Sequence, residues 1–407
     1  MELSSLVRSD GGKIVLVVMD GLGGYADREH GTEAEEASTP NLDRLVAEGV
    51  TGLGEPVGPG ITPGSGPGHL ALFGYDPEVF ELGRGALSAA GLDFKLAPGD
   101  VAARGNLCTL DGSGIIADRR AGRIPDDEAR VVVDLLADKV AIDQCPGGSG
   151  VSPGVEVIFR HEREHRVLVV LRGEGLDPRL ADTDPQVTGV PPVAPKALDP
   201  AAEHTAQLLA ELDAQVRVAL SDQPKANGLL LRGFDQHREL PGFKTRYGLR
   251  AAAVAIYPMY RGIARLLGME VLGAPADLDE QLAILAEAWD DYDYFFFHHK
   301  ATDSAGEDGD RARKVAAIER LDAALPAILE RAPDVVMVSG DHATPTQMAA
   351  HSWHPVPIVL WGPRVGRDDT ETFGERWCRL GGLGTRPMKT MMPIVLANAG
   401  RLQKYGA

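Results

Sequence analysis

The sequence predicts an α/β fold, in which a doubly wound, mostly parallel sheet carries a smaller inserted α+β domain. Three observations favour this class. Continuous runs of Val, Ile, Leu and Phe indicate strands buried on both faces, segments with helical spacing follow them, and the middle of the chain breaks the alternation. The length of 407 residues also suits two domains better than one. We therefore expect one domain from residues 1–80 and 240–407 and an inserted domain from residues 81–239.

The outer parts of the chain carry the alternating pattern. The run KIVLVVMDG predicts a buried strand that ends at Asp20, and the next helix has Thr39 as a possible cap and Pro40 at its first position. Further buried strands are predicted at about 250–257, 293–299, 334–342 and 356–362. Helices are predicted at about 258–268, 278–290, 309–330 and 388–402. Such alternation is typical of a parallel sheet covered by helices.

The middle of the chain has a different pattern. Residues 95–240 hold short strands at EVIFR, RVLVVLRG and GLLLRG, a capped helix that begins near Asp199, and a long loop-rich stretch. We expect this part to form the inserted domain, with its junctions near residues 80 and 240.

Composition and charge exclude several classes of function. The net charge of −18 at pH 7 argues against a nucleic-acid partner and against an anionic membrane surface. The three cysteines, Cys108, Cys145 and Cys378, lie far apart and indicate a reducing compartment. The N-terminal apolar run is too short to span a bilayer. We expect a cytoplasmic protein that acts on a small molecule, while its oligomeric state stays open.

Acidic and histidine side chains follow the predicted parallel strands. Asp20, Asp303 and the pair Asp341 and His342 each lie at or just beyond a strand's carboxyl end, where ligands bind in open α/β sheets. His351 precedes another strand and could reach the same edge. Asp and His together suit Mn²⁺ or Zn²⁺, and a pair of such ions suits phosphoryl transfer. Taken singly, an Asp-Gly step after a strand is more often a simple turn.

The segment GITPGSGPGHLALFGYDP leaves one hydroxyl, that of Ser65, at the start of a predicted helix near Pro67. A seryl oxygen becomes a nucleophile when a base or a metal lowers its pKa, and a helix N-terminus attracts phosphate. The glycines around it would allow a phosphate to approach the backbone. The alternative interpretation of the glycine-rich run is a flexible loop.

These motifs together carry a family resemblance. The motifs are VVMDGLG, TPNLDRLVAEG, GSGPGHLALFGYDP, GRGALSAAG, DRRAGRI, HHKATDSAGEDGD, VSGDHATP and HSWHPVP. Their order resembles the alkaline phosphatase superfamily of two-metal enzymes and, more narrowly, the cofactor-independent phosphoglycerate mutases of the archaeal type. The resemblance implies an alkaline phosphatase-like domain with an inserted transferase domain, and interconversion of 3-phosphoglycerate and 2-phosphoglycerate in glycolysis or gluconeogenesis.

The resemblance also implies the site residues and two divalent cations, usually Mn²⁺, with Zn²⁺ or Mg²⁺ as alternatives. The ligands of one ion are Asp20, Ser65, Asp341 and His342, with Ser65 also the phosphorylated nucleophile. Asp303 and His351 correspond to ligands of the other ion. The family commonly has D-x-x-G-H-D, whereas this chain has Glu307 at the histidine position. Either Glu307 replaces the histidine as a ligand, or the second site is weak or vacant.

Substrate contacts are expected from basic residues, because Arg matches phosphate and carboxylate with its forked donors. The candidates are Arg119, Arg120 and Arg123, then Arg84, Arg104, Lys300 and Arg261. A solvated basic patch is the alternative for the arginines. Asp118 is the candidate for moving a proton between the glycerate hydroxyls, and the inserted domain is expected to exclude water. Rival functions are a phosphomonoesterase or phosphonate hydrolase of the same superfamily, or a non-catalytic relative that binds a phosphometabolite.

Overall fold

A computed structural model describes residues 3–80, 82–142, 154–236 and 240–406, so that Cys145 lies outside the described residues. The chain divides into two units, one of Met1–Glu81 with Leu240–Ala407 and the other of Leu82–Glu239. The strands are β1 (Ile14–Met19), β2 (Val50–Glu55), β3 (Val101–Leu110), β4 (Ile116–Asp118), β5 (Glu156–Arg163), β6 (Arg166–Arg172), β7 (Gly228–Gln236), β8 (Ala251–Ala255), β9 (Glu270–Val271), β10 (Tyr294–His299), β11 (Val335–Ser339), β12 (Val356–Trp361) and β13 (Gly384–Pro387). The α-helices are α1 (Glu33–Glu36), α2 (Pro40–Glu48), α3 (Ser65–Leu72), α4 (Arg84–Gly91), α5 (Asp126–Lys139), α6 (Glu203–Ala219), α7 (Phe243–Tyr247), α8 (Pro258–Leu266), α9 (Leu278–Glu287), α10 (Ala301–Glu307), α11 (Arg311–Leu329), α12 (Glu375–Cys378) and α13 (Met391–Asn398).

The first unit is built on an eight-stranded sheet with the order β13-β2-β12-β11-β1-β10-β8-β9. Its central strands β11, β1, β10 and β8 run parallel, which confirms the predicted α/β class. The predicted strand near 356–362 is present as β12, but it pairs antiparallel with β11 and with β2. The direction reverses because no helix crosses back over the sheet between β11 and β12.

Both faces of this sheet are covered by helices. Phe295 and Phe297 of β10 belong to a core cluster with side chains of α2, α9 and α11. On the opposite face, Phe296 contacts Phe73 edge to face just after α3, with ring centroids 4.9 Å apart. The side chains of β10 thus alternate between two buried layers, as a doubly wound sheet requires.

The second unit is α+β and its sheet is antiparallel, with the order β4-β3-β6-β5 and with β7 also paired to β3. Helices α5 and α6 contribute to the larger core cluster on this sheet, and α4 contributes to a smaller one around Ala102 and Leu168. The strand β3 and the helices α4 and α5 were not predicted from the sequence. The strand β3 contains Ala, Gly, Asn and Arg among its apolar residues, so its pattern is not that of a buried strand.

Helix α2 is capped by a side chain that the sequence does not indicate. Thr39 was expected to cap it, but its hydroxyl makes no capping bond. Instead the buried carboxylate of Asp322, in α11, accepts from the N–H groups of Leu42 at 2.7 Å and Asn41 at 3.3 Å. The capping expectation was wrong because α11, from a distant part of the sequence, supplies the acceptor.

Replacing Asp322 by Ala should lower the free energy of unfolding by about 2–3 kcal/mol, because the buried N–H groups at the start of α2 lose their acceptor. Urea unfolding measures the change. The matched control is Glu319→Ala, one turn earlier in α11, which removes an exposed carboxylate that accepts from Ser38 N at 2.9 Å. This control should cost less than about 1 kcal/mol. Equal losses in the two variants would contradict the capping role.

Candidate active site

The carboxyl ends of three neighbouring strands carry the acidic side chains of the site. β1 lies between β10 and β11 in the sheet. Asp20 follows β1 directly, Asp341 follows β11 after one residue, and Asp303 lies in α10, which begins two residues after β10. Because these strands are parallel neighbours, residues separated by some 320 positions meet at one edge.

Four of the predicted residues form one tight group. His342 Nε2 lies 3.1 Å from Asp341 Oδ2, 3.5 Å from Asp20 Oδ1 and 3.2 Å from Ser65 Oγ. Asp20, Asp341 and His342 are fully buried. Their ligand atoms lie close enough together to hold one metal ion.

The chemistry of this group fits a divalent cation. Both carboxylate oxygens of Asp20 and Oδ2 of Asp341 are buried and accept no well-aligned hydrogen bond within the described residues. Nitrogen atoms of Lys300 and of histidines nevertheless lie 3.1–3.5 Å from them. Burial and the Asp341 charge raise the pKa of Asp20, but Lys300 and His298 outweigh them and hold it at about 2. Two ionised, buried carboxylates so close to one another are costly unless positive charge offsets them, and a divalent cation would supply it.

A second group shares His342 with the first. Asp303, His342 and His351 also have ligand atoms close enough to hold one ion. His351 Nε2 lies 3.6 Å from Asp303 Oδ1, its ring stacks on that of His342, and its Nδ1 lies 2.9 Å from the carbonyl oxygen of Pro63. Glu307 lies at the rim: its Oε1 is 3.9 Å from His351 Nε2, and its side chain is 56% exposed.

Ser65 is the first residue of α3, two positions before the predicted start of this helix at Pro67. Gly68 explains how the helix reaches the site. A Cβ at Gly68 would lie 2.3 Å from the carbonyl oxygen of Asp341, so any side chain there would push α3 away from β11. At this position the glycine serves helix packing, whereas the sequence suggested room for phosphate.

Two basic residues of this unit have protein partners. Lys300 Nζ lies 3.1 Å from Asp20 Oδ2 and donates to the hydroxyl oxygen of Tyr260 at 3.1 Å. After the cost of burial, the Asp20 charge raises the pKa of Lys300 well above its usual range. Arg261, on α8, donates to the carbonyl oxygen of Gly273 at 3.1 Å. Lys300 thus lies against the metal-ligand group as a charged partner of Asp20, whereas Arg261 makes a contact that fixes α8.

The second unit gathers arginines around Arg104. Arg104 on β3 lies directly opposite Arg232 on β7, and like charges in this position destabilise a sheet. Burial and the charges of Arg84, Arg166 and Arg232 lower the pKa of Arg104 to about 10. Its Nε is buried without a hydrogen-bond partner within the described residues. Such a cluster is typical of a site that binds an anion.

The DRRAGRI segment forms an unusual turn. Residues 121–123 all have positive φ, at 46°, 67° and 51°, which is left-handed backbone that favours glycine. Asp118 holds this turn, because its two carboxylate oxygens accept from Arg120 N at 2.8 Å and from Gly122 N at 2.7 Å. The strained turn exposes the side chains of Arg120 and Arg123.

The first arginine of this segment is differently placed. Arg119 donates to both oxygens of buried Asp184, at 2.9 and 2.7 Å, and this bond raises the pKa of Arg119.

The charges of the other arginines also act on a nearby histidine, His165. Burial lowers the pKa of His165 to about 4, with further contributions from Arg166, Arg120, Arg123 and Arg104.

Several residues near these groups were not singled out from the sequence for a role. His69 Nδ1 lies 3.1 Å from Asp341 Oδ2, and His298 Nε2 lies 3.3 Å from Asp20 Oδ2. Both positions carry a sequence signal, since His69 lies one turn after Ser65 and His298 is the last residue but one of β10. Arg166 and Arg232 carry none, because their position beside Arg104 depends on the pairing of distant strands.

Comparison with known proteins decides the family. A model of the 2,3-bisphosphoglycerate-independent phosphoglycerate mutases matches residues 47–226. A protein of Thermus thermophilus, named as a probable enzyme of this kind, is 49% identical over all of this chain and 98% of its own length. The chain belongs to this family. A mutase relative from Aquifex aeolicus, also named as probable, is 45% identical over all of this chain and 99% of its own.

Solved structures agree with this mutase family. A Pyrococcus horikoshii protein matches with a TM-score of 0.81 and 28% identity, over 98% of this chain and all of its own. The cofactor-independent phosphoglycerate mutase of Thermoplasma acidophilum matches with a TM-score of 0.65 and 28% identity, over 95% of this chain and all of its own.

Among the described residues, no helix has the length and apolar character needed to cross a membrane.

Proposed function

We propose that this chain interconverts 3-phosphoglycerate and 2-phosphoglycerate through a phosphoserine on Ser65, with two divalent cations, expected to be Mn²⁺. One observation carries the proposal. The hydroxyl of Ser65 lies 3.2 Å from His342 Nε2, where the buried carboxylates of Asp20 and Asp341 also converge. A nucleophile among cation ligands at the edge of a parallel sheet suits phosphoryl transfer. The role in glycolysis or gluconeogenesis and the cytoplasmic location belong to the same proposal.

Two sets of residues would hold the ions. Asp20, Ser65, Asp341 and His342 form the first set. Asp303 and His351 form the second set, which shares His342 with the first, and Glu307 would complete it from the rim. When bound, the cations supply charge that stabilises the phosphoryl group and activates the seryl oxygen. The mixture of carboxylate and imidazole donors favours Mn²⁺ or Zn²⁺ over Mg²⁺.

The chain's own residues then act in two transfers. The Oγ atom of Ser65 forms a bond to phosphorus as the bond from phosphorus to the glycerate oxygen breaks. The other hydroxyl of the bound glycerate next attacks the same phosphorus and releases Oγ. In the first transfer the seryl hydroxyl loses a proton and the departing glycerate oxygen gains one, and in the second transfer the other glycerate hydroxyl loses a proton and Oγ regains one. The atoms therefore balance without water, and burial of the ligand group helps to exclude it.

The arginines of the second unit suit the substrate's negative charges. We propose that Arg84, Arg104, Arg120 and Arg123 bind the phosphoglycerate, together with Arg166 and Arg232, which the sequence did not indicate. The support is that the charges of Arg84, Arg166 and Arg232 lower the pKa of Arg104, and that those of Arg120 and Arg123 contribute to the lowered pKa of His165. Asp182 and Asp184 lie 3.6 and 3.7 Å from Arg232 and offset part of this positive charge, and a bound anion would offset more of it. We propose that Arg119, held by its bond to Asp184, and Lys300, beside Asp20, also bind the substrate. Arg261 is the weakest of these candidates, because it donates to the main chain.

The test supplies 3-phosphoglycerate, Mn²⁺ and coupled enolase, and measures phosphoenolpyruvate formed against inorganic phosphate released. We expect phosphoenolpyruvate to dominate without added 2,3-bisphosphoglycerate. Dominant phosphate release would assign the chain to the phosphomonoesterases instead. Absence of both products from a metal-loaded protein would indicate a non-catalytic phosphometabolite-binding relative.

Glu307→Ala should weaken binding of one of the two cations by about 10- to 100-fold, because it removes a carboxylate oxygen from the second set. The matched control is Asp308→Ala, which removes a neighbouring carboxylate that pairs with Arg313 and is 60% exposed. Competition with a chelator measures both affinities. If the two variants bind metal equally well, Glu307 is not a ligand.

Asp118→Asn tests the proposed proton transfer at the substrate. If Asp118 moves a proton between the glycerate hydroxyls, kcat should fall by about 10²-fold while KM changes little. If it acts only by holding the 121–123 turn, KM should rise instead, because Arg120 and Arg123 lose their orientation. Steady-state kinetics with 3-phosphoglycerate separates the two, and a change confined to KM contradicts the shuttle.

A further inference from the structure

Thr344 lies beside both sets of candidate ligands and is fully buried. Its hydroxyl donates to Asp303 Oδ1 at 2.7 Å, and the same oxygen lies 3.0 Å from His342 Nδ1. It therefore joins a residue of the second set to the histidine shared by both sets. The sequence alone indicates no role for this threonine.

The two contacts determine where the protons lie. A hydroxyl carries one proton, and an ionised carboxylate can only accept. The proton of Thr344 therefore goes to Asp303, and its oxygen must accept from His342 Nδ1–H. In a neutral imidazole this leaves Nε2 with its lone pair, directed at Asp20, Asp341 and Ser65.

We propose that Thr344 is a positioning residue that selects the Nδ1–H tautomer of His342 and thereby presents Nε2 as a metal ligand. This inference rests on the proposed cation sites. The same hydroxyl orients Asp303, so one side chain prepares a ligand of each set. Partners of this kind fix the orientation of metal-binding histidines and carboxylates.

The main chain holds Thr344 in place without its hydroxyl. Thr344 N donates to Gly23 O at 3.0 Å, and its carbonyl accepts from Lys314 Nζ at 2.8 Å. Two glycines make the close approach possible. A Cβ at Gly21, where φ is +61°, would lie 2.5 Å from Thr344 Oγ1, and one at Gly306 would lie 2.4 Å from Thr344 O. An isosteric variant should therefore keep the backbone and lose only the two polar contacts.

The experiment measures cation affinity by chelator competition and the visible spectrum of the Co²⁺-substituted protein. Thr344→Val should weaken cation binding by about 10- to 100-fold and change the Co²⁺ spectrum, because His342 and Asp303 lose their common partner. Thr344→Ser keeps the hydroxyl and should stay within a few-fold of the wild type. Thr346→Val is the matched control, since it removes a buried hydroxyl that donates to Glu33 at 2.5 Å. This control should leave the spectrum unchanged.

Equal affinities of Thr344→Val and Thr346→Val would overturn the inference, as would a Thr344→Ser variant as weak as Thr344→Val. If Thr344→Val does not fold, the comparison of Thr344→Ala with Thr344→Ser decides in the same way. Failure of the proposed function would give a different result. In that case the wild-type protein itself would bind no pair of cations.

Discussion

Ser65→Ala should reduce mutase turnover by about 10³-fold or more, because it removes the hydroxyl proposed to carry the phosphoryl group. The seryl oxygen lies 3.2 Å from His342 Nε2, at the point where the first set of ligands converges. After brief exposure to 3-phosphoglycerate, intact-protein mass spectrometry should detect one added phosphoryl group on the wild type and none on the variant.

The control for this loss is Ser221→Ala, which removes an exposed hydroxyl beyond the end of α6 that donates to the carbonyl of Val218. It should keep full turnover. The Ser65 variant should also keep its fold, because the hydroxyl contacts the side chain of His342 and α3 has no side-chain capping bond. Circular dichroism checks this. Retained isomerisation in a folded Ser65→Ala protein would disprove the phosphoserine route.

Asp341→Asn should remove one cation per chain and lower turnover by about 10²-fold or more, since the buried negative charge that balances a divalent ion is lost. The amide oxygen can still accept from Gly21 N, as Oδ1 does at 3.0 Å, so the local backbone should persist. Metal content measured by mass spectrometry after desalting gives the number of ions retained per chain.

The matched substitution is Asp368→Asn in the same unit. The Asp368 carboxylate accepts from the N–H groups of Thr51 and Gly382, each at 2.8 Å, and belongs to neither metal-ligand set. This variant should keep both ions and most of its turnover. If the Asp341→Asn protein still holds two ions, Asp341 is not a metal ligand.

The sequence predicted the sheet of the first unit well. Strands β1, β8, β10 and β11 are buried on both faces, so they appear as unbroken apolar runs that local pattern alone reveals. Their order and direction then place Asp20, Asp303 and Asp341 at one edge. The weaker pattern of the antiparallel unit hid β3, and its glycine and polar residues gave no comparable signal.

The sequence by itself determined which residue types follow each buried strand, and with them the set of candidate ligands around Ser65. Only the tertiary structure decided how these residues are supported. It placed Asp322 at the start of α2, set Arg104 opposite Arg232, left Glu307 at the rim, and put the hydroxyl of Thr344 between Asp303 and His342. Burial is encoded in local periodicity, whereas the partner of a side chain depends on the pairing and direction of strands and helices that are remote in the chain.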